Sequence, residues 1–319
     1  MLSFSFMKAC RVHEFGGPEA VCIDDVEVPT AGPRQLLVRV FAAGVGPWDA
    51  WIRSGKSVLE QPLPLTLGAD LSGVVASVGP DVTGFELGQE VFGVTNSQFT
   101  GSHAEFALAE AAGMAAKGKT LGHVDAAAVP VVAVTAWQML FDHARARAGE
   151  RVLVHGAGGS VGAAAVQLAH AAGLTVIGTD IGEGCAYARS LFDGPVVDMQ
   201  HERFEDRADT VDVVIDTVGG AIQRRSFAVL KPGGRLVSSV MPPEQSLASP
   251  RGILAKFMLV EVTRAALLRV GELLENQQLS VRVGTVLPLE QARVAQEMLD
   301  GTRARHPGKI VLQMNGSES

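Results

Sequence analysis

Residues Arg151–Gly173, RVLVHGAGGSVGAAAVQLAHAAG, restrict what this chain can fold into more than any other stretch. Val152–His155 has the apolar composition of a buried strand, and the alanines and β-branched residues after the glycines have the spacing of a packed helix. Between them Gly156, Gly159 and Gly162 are spaced G-x-x-G-x-x-G, with a further glycine at Gly158. Such a turn needs glycine for separate reasons: a tight exit from the strand, close approach of backbone to a pyrophosphate, and close packing of helix on strand. The helix that follows turns unpaired N–H groups, here those of Ser160 and Val161, and the positive end of its dipole toward the phosphates. A second apolar strand, Leu174–Thr179, ends at Asp180, eighteen residues beyond Gly162. An acid at that place can hydrogen-bond an adenosine ribose, so the stretch predicts a dinucleotide site. Two plainer readings stay open: dense α/β packing alone also produces a glycine turn, and Asp180 also reads as a solvated turn residue.

The totals narrow the class. A chain of 319 residues predicts two domains, and 47% hydrophobic against 19% charged residues suits a large core rather than disorder. A net charge of −7 without any run of Lys and Arg argues against nucleic acid as a partner. Mean hydropathy is positive, yet no apolar stretch approaches the ~20 residues that span a bilayer. The opening MLSFSF lacks the apolar core of a signal peptide, and Met7 offers a second candidate start. Cys10, Cys22 and Cys185 lie far apart, with neither metal spacing nor a disulfide framework. Reduced thiols and a cytoplasmic location are the expectation.

Along the chain, Lys8 to Ala107 reads as short strands among turns, including Gln35–Val40, Gly68–Val78 and Gln89–Val94. Helical patterns begin at Asp125–Val129 and Val131–Arg145, with Pro130 expected to break them. Strands are then expected at Arg151–His155, Thr175–Thr179, Val196–Asp198, Val211–Asp216 and Gly234–Val240, with helical stretches between several of them. That alternation predicts a parallel sheet covered on both faces. A strand at Phe257–Val260, helices at Thr263–Asn276 and Leu289–Asp300, a strand at Lys309–Gln313 and a disordered tail at Asn315–Ser319 complete the expectation.

An ordered series of motifs carries a resemblance. MKACRVHEFGGPE at Met7–Glu19, GVGPWDAWIRSG at Gly44–Gly55, LGADLSGVV at Leu67–Val75 and GSHAEFA at Gly101–Ala107 come first. VLVHGAGGSVG, VDVVIDTVGG at Val211–Gly220, KPGGRLV at Lys231–Val237 and PGKIVL at Pro307–Leu312 follow. Together they resemble the medium-chain dehydrogenase/reductase superfamily, in its zinc-independent quinone oxidoreductase-like branch, over nearly the whole chain. The resemblance implies an α/β protein: a GroES-like β domain at 1–124, completed by 269–319, and a Rossmann doubly wound domain with a parallel sheet at 125–268. It places the active site in the cleft between the domains.

Zinc-dependent relatives would place ligands near Gly46, Ala69 and Val131, none of which has a side-chain lone pair. The clustered cysteines of a structural-zinc loop are missing too. No metal is therefore expected, which removes the Lewis acid used to stabilise an alkoxide. The chemistry left is hydride transfer from a reduced nicotinamide to an acceptor already activated, a quinone or an α,β-unsaturated carbonyl. The resemblance adds Thr135, Val218 and Val240 to the cofactor side, and Trp48, Trp51 and Thr135 as pocket candidates. Core packing explains each tryptophan equally well. Asp49 and Arg53 match family positions, where a mutual salt bridge holding the loop is an equally good reading. Asp180-Ile181-Gly182-Glu183-Gly184 offers two carboxylates and no base, which favours NAD(H) over the family default, NADP(H). A homodimer through the Rossmann edge strand Phe257–Val260 is expected, and no catalytic acid declares itself. The rival readings are a non-catalytic nucleotide-binding protein of the same fold and an S-adenosylmethionine-dependent methyltransferase.

Overall fold

The structure is a computed structural model that describes residues 5–314. Residues 1–4 of the opening MLSFSF and the tail expected to be disordered at Asn315–Ser319 lie outside the described residues. The chain separates into two compact units, one of Met1–Val131, Val262–Glu275 and Val281–Ser319, the other of Val132–Glu261 and Asn276–Ser280. Among the described residues no helix is long and apolar enough to cross a membrane.

The first unit is built on the strand Gln35–Val45, longer than the alternation at Gln35–Val40 implies. Its first half pairs with Phe106–Glu110 and its second half with Lys309–Gln313, while Asp70–Val78 runs antiparallel along its other edge. Alternation along it sends Leu36, Val38 and Val40 into a core shared with Leu71, Val75, Val91, Ile310 and Leu312. Strands far apart in sequence, with Val45 paired to Ile310, thus meet in one sheet, whose order closes with Val283–Pro288 beside Lys309–Gln313. A smaller sheet joins Phe6–Val12 to Val21–Glu27 in an antiparallel hairpin, with Leu65–Thr66 on its other side.

In the second unit six parallel strands lie in the order Val196–Asp198, Thr175–Asp180, Arg151–His155, Val211–Asp216, Leu230–Ser238, Leu254–Phe257. The order reverses beside Arg151–His155, the switch point at which open α/β sheets bind ligands beyond their strand ends. The strands are near-continuous runs of Val, Ile and Leu because helices cover both faces of such a sheet.

Several expected bounds shift for identifiable reasons. Pro130 marks the break between two helices as expected, and it does so as the first residue of the second, Pro130–Trp137, since a proline in the first turn withholds an N–H that has no intrahelical partner. That helix passes into a π-helical stretch at Gln138–His143, and the preceding helix is His123–Ala127. The strand expected at Gly234–Val240 runs Leu230–Ser238, which leaves Val240 in the following loop. The last strand of the parallel sheet is Leu254–Phe257, not Phe257–Val260, because its register with Arg235–Ser238 runs out at Phe257. Four-residue apolar patterns such as LAKF and FMLV differ too little for sequence to choose between them.

Candidate functional site

The glycine turn sits at the carboxyl end of Arg151–His155. Gly156 has φ +73°, a conformation that favours glycine. The N–H groups of Gly156 and Ala157 both donate to the Thr179 carbonyl, at 2.9 and 3.0 Å, which locks the turn to the neighbouring strand. The glycines divide by what a Cβ would meet. At Gly162 it would lie 2.0 Å from the Gly156 carbonyl oxygen, and at Gly158 it would lie 2.3 Å from that of Gly184. At Gly159 a Cβ would meet the Gly156 carbonyl oxygen at 3.2 Å, a tight contact, with φ at −74°. Helix Ser160–Ala171 starts there, and its first N–H groups have no intrahelical carbonyl to bond. Backbone packed this closely at Gly158 and Gly162, beside a helix N-terminus, fits a turn shaped for a phosphate group.

Asp180 closes the turn from the side. Its Oδ2 accepts the Gly158 N–H at 2.6 Å and its Oδ1 accepts the Ile181 N–H at 2.8 Å. Each oxygen keeps a further lone pair for a ligand hydroxyl. Asp180 is half-buried and its tie to Gly158 makes it part of the turn, not a freely solvated residue.

A residue with no role assigned from sequence organises the next strand end. Asp216 is fully buried. Its Oδ1 accepts the N–H groups of Val218 and Gly219 at 3.1 and 2.8 Å. Its Oδ2 accepts Gln223 Nε2 at 2.9 Å and Ser238 Oγ at 2.8 Å. One carboxylate therefore fixes both loops that carry Val218 and Val240. Val218 is 52% exposed, and Val240 is half-buried with its N–H 3.3 Å from Ser238 Oγ. Thr217 Oγ1 donates to the His155 carbonyl at 2.7 Å and stands over Gly156. His155 is sealed beneath, with Nδ1 2.8 Å from Thr179 Oγ1 and Nε2 2.8 Å from Ser226 Oγ. Burial pushes its pKa down to about 4, so the imidazole is neutral. The Ser226 hydroxyl donates to the Ile222 carbonyl, which assigns the His155 proton to Nε2. Thr135 is buried on helix Pro130–Trp137.

In the first unit, helix Pro47–Arg53 carries both tryptophans. Trp48 packs edge-on to Phe99 at 6.2 Å between ring centroids, with Lys309 Nζ 4.2 Å from its own ring centroid. Trp51 is 47% exposed. Asp49 and Arg53 do not pair with each other. Arg53, fully buried, bonds Asp300 at 2.7 Å, Gln296 at 3.0 Å and the Gly16 carbonyl at 2.8 Å, so it anchors the helix from the C-terminal side of the chain. Asp49 turns inward, where one oxygen accepts the Gly46 N–H at 2.8 Å and the other has no partner among the described residues. Burial raises its pKa to about 7, against the pull of the Gly46 N–H and the Lys309 ammonium.

Two motifs 239 positions apart meet in a buried ion pair. Lys309 Nζ lies 2.9 Å from Asp70 Oδ2, and Asp70 Oδ1 accepts the Val131 N–H at 2.9 Å. Burial raises the Asp70 pKa and the ammonium opposes that shift. A lone charge inside LGADLSGVV and another inside PGKIVL were the available signals, since buried charges are kept only when paired. His103 is fully buried too, its Nε2 3.2 Å from the Gly44 carbonyl, and burial lowers its pKa to about 4. The positions where zinc-dependent relatives would hold ligands are Gly46, where a Cβ would lie 2.3 Å from the Trp48 ring, and the buried Ala69 and Val131.

Comparison with known proteins follows this geometry. The family model described as "Alcohol dehydrogenase GroES-like domain" matches residues 32–140, and that described as "Zinc-binding dehydrogenase" matches residues 194–312. The chain is 35% identical to the quinone oxidoreductase of Mus musculus over 312 residues, covering 91% of this chain and 93% of the mouse protein. It is 34% identical over 251 residues to a chloroplastic NADPH-dependent alkenal/one oxidoreductase of Arabidopsis thaliana, covering 74% of this chain and 64% of that protein. The solved quinone oxidoreductase from Coxiella burnetii superposes with a TM-score of 0.88 at 31% identity, over 97% of this chain and 99% of that one. A GroES-like β unit and a Rossmann unit with its glycine turn define a nicotinamide-dependent oxidoreductase. The chain belongs to the medium-chain dehydrogenase/reductase superfamily, in its quinone oxidoreductase-like branch. The methyltransferase reading falls with that membership.

Proposed function

We propose that the protein is a zinc-independent oxidoreductase that uses NAD(H) to reduce a quinone or an α,β-unsaturated carbonyl compound. The observation that carries the reading is the glycine turn at the end of Arg151–His155, leading into a helix N-terminus, in a chain whose Gly46, Ala69 and Val131 offer no metal donor. Bound at this turn, a reduced nicotinamide cofactor supplies a hydride to the acceptor. The N–H groups of Ser160, Val161 and Gly162 bind the pyrophosphate, and Asp180 orients the adenosine ribose while holding Gly158 in place. Asp216 presents the Val218 and Val240 loops in one fixed arrangement, and with Thr135 they line the cofactor site. In the first unit Trp51, exposed on its helix, is the candidate acceptor contact, while Trp48 packs against Phe99. No acid of the chain is needed to complete the reaction with a quinone, since the reduced product takes its protons from solvent.

NAD(H) is preferred because Asp180 and Glu183 would set their charges against a 2′-phosphate in a half-enclosed site. The same reading includes a homodimer through Leu254–Phe257 and a cytoplasmic location, supported by three free cysteines. Fluorescence titration with NADH and NADPH, followed by turnover on a panel of quinones and enones, tests it. Tight NADH binding with acceptor-dependent oxidation is the expected result. Tight binding without turnover on any acceptor would favour a nucleotide-binding protein that is not an enzyme.

A further inference from the structure

The hairpin of Phe6–Val12 and Val21–Glu27 brings together three side chains that no sequence spacing connects. Cys22 and Asp24 lie two residues apart on the second strand, so they share a face, and Cys22 stands opposite Arg11 in the pairing. His13 leaves the first strand one residue beyond its end and folds back over the same face. Its Nε2 lies 2.7 Å from Asp24 Oδ2. The His13, Cys22 and Asp24 donor atoms all lie within 4.8 Å of one another.

We propose that His13 Nε2, Cys22 Sγ and an Asp24 carboxylate oxygen form a zinc-type divalent metal site on this hairpin. Imidazole, thiolate and carboxylate are the donor types that zinc accepts in tetrahedral geometry. Bond lengths of about 2.0–2.3 Å place such donors roughly 3.3–3.7 Å apart. Small rotations of an exposed His13 and two half-buried side chains reach that spacing. The fourth position, on the solvent side, is left for water. A soft thiolate beside an imidazole selects zinc over magnesium or calcium, which take oxygen donors.

The surroundings agree with the assignment. Two anions and a neutral imidazole balance a divalent ion, so the complex itself is neutral beside Arg11 and Arg293. Those guanidiniums are already occupied, Arg11 with the Pro64 carbonyl at 3.2 Å and Arg293 with the Glu19 and Val21 carbonyls at 2.6 and 3.2 Å. Cys22 Sγ lies 3.5 Å from the Arg11 carbonyl oxygen, a weak contact that coordination as the thiolate replaces. The site also clamps the loop after His13, whose Gly16 carbonyl receives Arg53 at the end of the tryptophan-bearing helix.

Cobalt(II) is the probe that reads the donors directly. Tag-free, chelator-treated full-length protein is titrated with Co²⁺, then with Zn²⁺ in competition. One equivalent is expected to bind with a thiolate-to-metal charge-transfer band and the visible bands of tetrahedral cobalt, both lost when zinc is added. Cys22→Ser is expected to abolish the charge-transfer band, and His13→Ala and Asp24→Asn to weaken binding at least tenfold. Cys185→Ser is expected to behave as wild type, with circular dichroism verifying that each variant is folded. Unchanged spectra in folded Cys22→Ser, loss of the band in Cys185→Ser, or no saturable binding at micromolar metal would each overturn the proposal.

Discussion

The carboxylate of Asp180 accepts the Gly158 N–H at 2.6 Å, so the acid that would read the ribose is also a structural member of the phosphate turn. Two consequences are separable. Replacing Asp180 by Ser removes the charge that opposes a 2′-phosphate, and the ratio of NADH to NADPH affinity is expected to fall at least tenfold. It also removes an acceptor from the Gly158 N–H, at about 1–2 kcal/mol of stability. Parallel titrations and urea melts check both, and an unchanged cofactor ratio would return Asp180 to a purely structural role.

Gly159 and Gly162 look alike in the sequence and differ in space. At Gly159 the backbone is extended and a Cβ would meet the Gly156 carbonyl oxygen at 3.2 Å, so Gly159→Asp is expected to fold once the turn gives by a few tenths of an ångström. An aspartate at that helix N-cap even favours the helix. Its carboxylate would occupy the phosphate position and abolish cofactor binding; retained affinity in a titration would refute the site. Gly162→Ala drives a methyl against the Gly156 carbonyl at 2.0 Å, and is expected to cost about 2 kcal/mol or more of stability, as overpacking does. A melt unchanged by that substitution would contradict the packing role.

His103 and His155 are buried neutral, each pushed from 6.5 to about 4 by burial. Below pH 6.5 the unfolded chain binds protons that the folded sites refuse. Stability present above 6.5 is therefore lost as the pH falls toward 4. Asp49 acts oppositely, because its pKa is raised to about 7 and the folded state takes its proton first. A variant isolates one group. His155→Gln is expected to be less stable than wild type at pH 7, with the gap shrinking by on the order of 2 kcal/mol by pH 5. A gap that stays constant in urea melts at the two pH values would show that His155 does not titrate this way.

Leu254–Phe257 has a neighbour on one side only among the described residues, and Leu254 is 70% exposed. An open, apolar edge invites pairing with another copy. Sedimentation at micromolar concentration is expected to show a dimer, and Ala255→Pro a monomer, because proline removes a ladder donor. A monomeric wild type would contradict the edge-strand interface.

The strands of the parallel sheet were legible because each is a short apolar run between turn signals. Arg151–His155, Val211–Asp216 and Val196–Asp198 have the bounds that their residues imply. The glycines marked the tight turn itself, since Gly158 and Gly162 are demanded by contacts no other residue permits. What stayed hidden depends on pairing at long range. Asp70 and Lys309 lie 239 positions apart, Arg53 binds Asp300 and Gln296 rather than the neighbouring Asp49, and His13 meets Cys22 and Asp24 only through the hairpin. Asp216 was in view as the end of a strand, but its four donors come from one loop, a helix and the end of the next strand, which local patterns do not connect.

The central claim is hydride transfer without a catalytic metal, and it is tested most directly by NADH oxidation with a simple quinone. The assay uses protein freed of metal by a chelator and kept in it. The account predicts quinone-dependent oxidation at the same rate before and after chelation, with Gly159→Asp inactive. Activity lost on chelation and restored by added zinc would contradict it.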